Sequence, residues 1–309
     1  MLPIERRASA SLAAIFALRM LGLFLVLPVF MLEAGKYPGG NDTALVGLAM
    51  GIYGLTQGLL QIPFGMASDR FGRKRVIIIG LIIFAAGSLL AAAATTLPWL
   101  LAGRALQGAG AVSAAVTALL ADLTRDAVRT KAMALVGASI GLMFALSLVV
   151  APPLAAAVGL SGLFVMTGVL TIAGIGIVLW VVPPAPSLDA HPQASRLSGL
   201  AQVLRHPGLL RLNVGVFVLH AVQLAMWVAV PALLVQAGLA KNAHWQAYLP
   251  AVLLSFGFMG AVFAMERRGH LRTVFLASIG MILLVQLGFG LLAGQGVGGA
   301  GLWPLGALL

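Results

Sequence analysis

A chain of 309 residues that is 61% hydrophobic and 9% charged, with a mean hydropathy of +1.06, lacks the polar surface of a water-soluble globule. Its 19 Lys and Arg outnumber 8 Asp and Glu to give a formal charge of +11, and it contains no cysteine. Disulfides, thiolate metal sites and cysteine nucleophiles are therefore excluded.

Crossing a bilayer as a helix takes about 20 apolar residues. Nine stretches of roughly that length occur, at 12–33, 44–65, 76–97, 99–121, 132–158, 162–183, 211–236, 246–265 and 273–293. The expected fold class is an all-α, polytopic membrane protein. The positive charge would suggest nucleic acid in a soluble protein, but its placement argues otherwise. Arg19 and Arg104 lie inside spans, and Lys36 and Lys241 follow odd-numbered spans. All the other bases fall in the N-terminal tail or in loops after even-numbered spans. That asymmetry is the positive-inside rule, and it predicts a cytoplasmic N-terminus and no nucleic-acid partner.

In chain order, the first span follows Glu5-Arg6-Arg7 and is broken by Arg19. It is too long for a cleaved signal peptide and reads as a retained helix. In the second span Tyr53, Gln57 and Gln61 recur every fourth residue, which sets them on one helix face. A polar stripe on an apolar helix suggests a substrate cavity; the alternative is interhelical hydrogen bonding without a substrate. Between the second and third spans lies Gly65-Met66-Ala67-Ser68-Asp69-Arg70-Phe71-Gly72-Arg73-Lys74-Arg75, an acid, four bases and a hinge glycine in one tight turn. The fourth span carries Arg104, Gln107, Gly108 and Gly110. The two glycines allow another backbone to come close, and a guanidinium in lipid is expected to turn toward a central cavity.

Asp122-Leu123-Thr124-Arg125-Asp126 ends the fourth span with two carboxylates that could hold magnesium in a membrane prenyltransferase. Such enzymes need a second acidic cluster, and Asp189 and Glu266 stand alone. No enzyme, metal or cofactor is expected. The fifth span contains Pro152, which removes a helix donor and predicts a kink. A polar, proline-containing linker over 184–207 precedes the seventh span, where His220, Gln223 and Trp227 share a face. His220 could carry a proton, or simply be hydrogen-bonded. No Asp or Glu lies mid-span, which disfavours a cationic substrate; Arg19 and Arg104 suit an anionic or neutral amphipathic compound.

The Gly65 to Arg75 loop resembles the signature loop between the second and third helices of the major facilitator superfamily. Gly51 to Gly65, Gly103 to Gly110, Ala121 to Arg125 and His206 to His220 look like its drug:proton antiporter branch of YajR-like inner-membrane transporters. The resemblance implies a six-helix N-terminal bundle over 1–183, a cytoplasmic linker over 184–207, and an incomplete C-terminal bundle over 208–309. Glu266, Arg267, Gly269 and Arg272 fall in register with Asp69, Arg70, Gly72 and Arg75, as a repeated half requires. Residues 302–309 could rise only about 12 Å as helix against the roughly 30 Å of the hydrocarbon core. A twelve-helix carrier cut short after about nine helices is therefore expected, with a genuine nine-helix protein as the alternative.

By the same resemblance, Gly65, Asp69, Arg70, Gly72, Arg73, Lys74, Arg75 and Asp122 form a gating motif, with Asp122 reaching Arg70 or Arg73. Arg104 is associated with proton movement. Pro152 marks a degraded antiporter motif, since Ala151 stands where a glycine is usual. The implied function is proton-coupled transport of a small molecule, by efflux and alternating access, in a bacterial inner membrane as a monomer. The alternatives are a metabolite or sugar transporter of the same superfamily and a non-transporting membrane partner.

Overall fold

The computed structural model describes residues 1–184 and 206–295. The described residues are helical apart from short turns. Helix α1 (Pro3–Val26) breaks before Pro28 and resumes as the single turn α2 (Phe30–Ala34). Helix α3 (Thr43–Phe71) starts at Asp42, whose carboxylate accepts from the amides of Ala44 and Leu45 at 2.9 and 3.1 Å. That cap satisfies two of the donors a helix start leaves free. Helix α4 (Arg73–Ala92) follows a one-residue turn at Gly72. Gly72 has φ +99, a conformation open to glycine and strained for other residues.

The expected fourth span is two helices, α5 (Leu97–Ala109) and α6 (Ser113–Asp122), interrupted at Gly110. Spans five and six are joined in α7 (Asp126–Gly176), which ends in a π turn over Ile177–Val181. A straight helix of that length would overshoot any bilayer, and α7 is not straight. At Gly159 φ is +66 and ψ −178, a combination only glycine adopts freely. Both arms run along α1: Ser139 donates to the Ala13 carbonyl at 3.2 Å, and Thr167 donates to the Gly22 carbonyl at 2.9 Å. The chain thus reverses at Gly159, close to the boundary expected from hydropathy. Pro152 and Pro153 sit inside the first arm, whose backbone stays helical around them.

Seven helices, counting α7 once, are long and apolar enough to cross a membrane among the described residues. The chain is a multi-pass membrane protein. Beyond α7 come α8 (Pro207–Gln236), a short turn at Lys241–Ala243, α9 (Trp245–Arg267) and α10 (Leu271–Gln295). The linker expected over 184–207 and the terminal run from 296 onward fall almost wholly outside the described residues, as do the side chains of Glu266 and Arg267.

Two apolar clusters hold the first seven helices together. One gathers Leu12, Phe16, Leu81, Val116, Leu119 and Val136 at the end carrying the basic loops. The other gathers Val26, Phe30, Met50, Leu97, Leu163 and Phe164 at the opposite end. A third, built on Leu148, Val230, Leu233, Leu234, Tyr248 and Phe289, joins α7 to α8, α9 and α10. Lys241 also reaches Glu33 at 3.9 Å from across this junction. In contrast Leu212, Val214, Phe217 and Val218 of the first half of α8 are exposed. The early and late helices therefore meet at the Glu33 end and stand apart at the end of the basic loops.

Close helix approach depends on small residues. A Cβ at Gly108 would collide with the Thr56 hydroxyl and the Tyr53 carbonyl of α3, whereas Gly141 has open space around it. Gly108→Ala should cost about 1–3 kcal/mol through overpacking and lower the melting temperature in detergent; Gly141→Ala, free of any clash and inside a helix, should not lower it.

Candidate functional site: an ionic turn and a buried arginine pair

The signature loop forms an ionic knot at the junction of α3, α4 and α6. Arg73 donates through Nε to Asp122 Oδ2 at 2.9 Å and through Nη1 to Ser68 Oγ at 2.8 Å, and it pairs with Asp69 one turn back. Of the two bases expected to meet Asp122, Arg73 does so; Arg70 is exposed and lies over the Phe71 ring at 5.3 Å. Gly65 could accept a methyl group, since the nearest atom, Ala114 Cβ, would be 3.6 Å away. Lys74 donates to the Val182 carbonyl at 2.5 Å, and Arg7 donates to the carbonyls of Val181 and Trp180 at 2.9 and 3.3 Å. Two bases thereby cap the carbonyl end of α7, where cations are favoured. Arg75 is exposed.

A second ion pair ties α1 to the turn before α7. Glu5 accepts from Arg125 Nε at 2.7 Å, from Nη2 at 3.2 Å and from the Arg125 amide at 3.3 Å. Neither residue stood out in the sequence, because Glu5 reads as one charge in a basic tail. The Glu5 side chain is buried and the Arg125 side chain is exposed, so one partner of the pair stays in water. Such contacts select a conformation more than they stabilise the fold.

Arg19 and Arg104 are 2% and 1% exposed, packed among the first seven helices. Arg19 donates to Ser113 Oγ at 2.9 Å and to the Tyr53 hydroxyl at 3.1 Å, with Phe84 beneath it at 5.1 Å. Arg104 donates to Gln107 Oε1 at 2.5 Å and to the Met50 carbonyl at 3.5 Å, and it lies 4.7 Å from the Tyr53 ring, with Phe30 and Phe164 at 5.6 and 6.0 Å. Gln107 passes the chain on, donating to Ser88 Oγ at 2.9 Å. The ring faces carry the negative end of their quadrupoles and can stand in for a counter-ion. Tyr53 links both arginines, so the polar stripe on α3 has one member in this network. Gln61 borders a shallow groove with Ser113 and Thr117 beside α6, and Gln57 is half-buried on the same helix.

On α8, His220 is exposed and its Nδ1 lies 2.8 Å from the Val216 carbonyl of its own helix. Gln223 and Trp227 instead line a cavity of about 230 Å3 between α7, α8 and α9, with Phe144, Leu148, Tyr248 and others. A second cavity at the Glu33 end includes Pro152, Lys36, Lys241 and His244. Burial pushes the His244 pKa below the ordinary histidine range; a Leu239 backbone hydrogen bond raises it and Lys241 lowers it further. The sequence reading missed Ser88, Ser113, Phe30, Phe84, Phe144 and Tyr248. Isolated serines and aromatics in apolar helices give no periodic signal.

The Major Facilitator Superfamily model matches residues 8–309. The chain belongs to the major facilitator superfamily. It is 43% identical over 289 residues to the inner membrane transport protein YajR of Escherichia coli K12, covering 93% of this chain and 63% of that protein. It is 37% identical over 257 residues to an uncharacterized transporter of Buchnera aphidicola, covering 83% and 66%. These relatives place it in the YajR-like branch, which is a transporter family and not an enzyme family. The chain spans about two thirds of the length of these relatives. Among solved structures, a D-xylose-proton symporter superposes with a TM-score of 0.64 at 16% identity, over 97% of this chain and 78% of that one. A bacterial Spinster homolog in an inward-facing, unoccupied conformation also gives 0.64, at 16% identity, over 86% and 64%. At those identities the likeness concerns the fold.

Tyr53→Phe deletes one hydrogen-bond acceptor from a buried guanidinium and keeps the ring under Arg104. It should destabilise the protein by about 1–3 kcal/mol, seen as a lower melting temperature, while Gln57→Leu should not.

Proposed function

We propose that this protein is a proton-coupled secondary transporter of small molecules that exports by antiport, alternating access around a central site in a bacterial inner membrane with its N-terminus cytoplasmic, and that it acts as a monomer. The observation that carries the reading is the Arg73 knot. One guanidinium ties Asp69 at the end of α3 to Asp122 at the end of α6, at the end of the molecule where early and late helices stand apart. Its contacts are partly buried and lie at helix ends, where a gate that must open and close in each cycle can be made and broken. Rocking one group of helices against the other about the Glu33 end would close this gap and open the opposite side.

Coupling to protons is assigned to the Arg104 network. Among the described residues no carboxylate accompanies the two buried arginines, so their charge is balanced by rings and neutral dipoles, and a proton or charged group arriving nearby would shift that balance strongly. The naming of relatives as a tetracycline resistance protein of Escherichia coli and a multidrug resistance protein of Klebsiella pneumoniae supports export, although those matches cover 40% and 52% of this chain.

The absence of cysteine makes a direct test available. A single Gln223→Cys in the cavity should react with an impermeant maleimide from the side of the basic loops at rest, and from the opposite side under an imposed proton gradient. Adding Asp69→Asn should reduce that switch at least tenfold with insertion intact; an undiminished switch would refute the gating role. Arg104→Ala should likewise abolish the response to the gradient while leaving resting reactivity, and retention of the response would remove Arg104 from coupling.

A further inference from the structure

The two buried arginines would attract an anion if they lined the cavity, and they do not. The cavity of about 230 Å3 between α7, α8 and α9 is lined by Phe144, Leu148, Trp227 and Tyr248 with Gln223 at its edge, and among the described residues no charged side chain borders it. Arg19 and Arg104 are directed instead at Ser113, Tyr53, Gln107 and four aromatic rings, and the Nε of each has no partner among the described residues. We infer that this cavity binds a neutral aromatic molecule of one or two rings carrying one hydrogen-bonding group, laid against the contiguous rings of Phe144, Trp227 and Tyr248 with Gln223 as its polar partner.

Three observations support it. The walls are aromatic and set edge to face: Phe144 and Trp227 lie 5.8 Å apart at 78°, and Trp227 and Tyr248 lie 6.1 Å apart at 70°. The three rings touch one another and form one wall, and a flat ring laid against it would meet ring edges and faces, an arrangement favoured by the aromatic quadrupole. The volume falls below the roughly 300–1,000 Å3 of sites for drug-sized ligands, which limits the occupant to a small molecule.

The second observation is where polar groups can be reached. The Tyr248 hydroxyl is buried and closed to a molecule the size of water, so Tyr248 offers the cavity its ring and not its hydroxyl. The Ser255 hydroxyl turns back to the Val252 carbonyl at 2.7 Å. Gln223 is exposed and borders the cavity, so its amide is the group placed to bond a ligand. A charged ligand would gain the same bond but forfeit its hydration against apolar walls.

Third, the walls come from both sides of the moving junction. Phe144 stacks in turn on Phe24 of α1 at 5.1 Å, whereas Trp227 and Tyr248 belong to α8 and α9. A ligand here therefore senses how the early and late helices are arranged, which is what a carried substrate must do. The inference rests on the transporter reading for the meaning of the site, but its test does not depend on transport.

Binding of tritiated 1-naphthol to the purified protein in detergent, counted as the component displaced by excess unlabelled 1-naphthol, tests it against the similarly sized anion naphthalene-1-sulfonate and the hydrocarbon naphthalene. Saturable naphthol binding at least tenfold tighter than that of the sulfonate is expected. Gln223→Leu should weaken naphthol about fivefold, the loss of one neutral hydrogen bond, and leave naphthalene unchanged. Trp227→Leu should weaken both, with the milder Trp227→Phe keeping the fold while weakening both less. Equal or tighter sulfonate binding, naphthol binding indifferent to Gln223→Leu, or no saturable naphthol binding would each overturn the ligand class. Any of these together with a normal gradient-driven Gln223→Cys switch would leave the carrier reading standing; a lost switch with naphthol binding as expected would do the reverse.

Discussion

Two permanent positive charges sit in the membrane-spanning part of this protein with no carboxylate to meet them among the described residues, and much of the interior is arranged around that fact. A guanidinium in hydrocarbon is costly, and proteins that keep one there surround it with dipoles or a counter-charge. Here Arg104 is enclosed by Tyr53, Phe30 and Phe164 and tied to Gln107, while Arg19 lies against Phe84 and is held by Ser113 and Tyr53. These contacts connect α1, α2, α3, α4, α5, α6 and α7. The glycine approach of α5 to α3 at Gly108 brings Tyr53 close enough to serve both arginines. The same arrangement removes both charges from the cavity beside Trp227, and so sets what that cavity can hold.

The charges at the end of the basic loops follow a different rule. Glu5 with Arg125, and Arg73 with Asp69 and Asp122, are pairs at helix termini, where each bond is weak and replaceable. Arg7 and Lys74 lie on the carbonyl end of α7. Buried charge thus fixes the architecture of the early helices, and surface charge sets how their ends dock. A molecule that changes shape between two states needs both kinds.

Much of the fold was legible because lipid imposes a simple constraint. Backbone groups must be satisfied within each segment, so hydropathy alone marks where helices lie. The reversal between the fifth and sixth spans fell close to Gly159, and the signature turn fell at Gly72, because both require a backbone that only glycine supplies easily. The interruption at Gly110 was less legible, since an apolar run continues on either side of it. The partners of the buried arginines were not legible at all. Ser88, Ser113 and Phe84 are single residues in apolar helices, and only their positions in space distinguish them from packing residues.

The sequence by itself determined that this is an all-helical membrane protein with its bases concentrated in alternate loops, and its signature turn was sufficient to suggest the superfamily. Those properties are local: they depend on the length of apolar runs, on charge near their ends and on a few glycines. Only the tertiary structure decided that Arg73 and not Arg70 meets Asp122, that Arg19 and Arg104 turn into the helix bundle, and that Gln223 and Trp227 face a cavity while His220 does not. Which way a side chain points depends on the rotation of its helix against neighbours distant in sequence. That rotation is set by packing, which no single segment encodes.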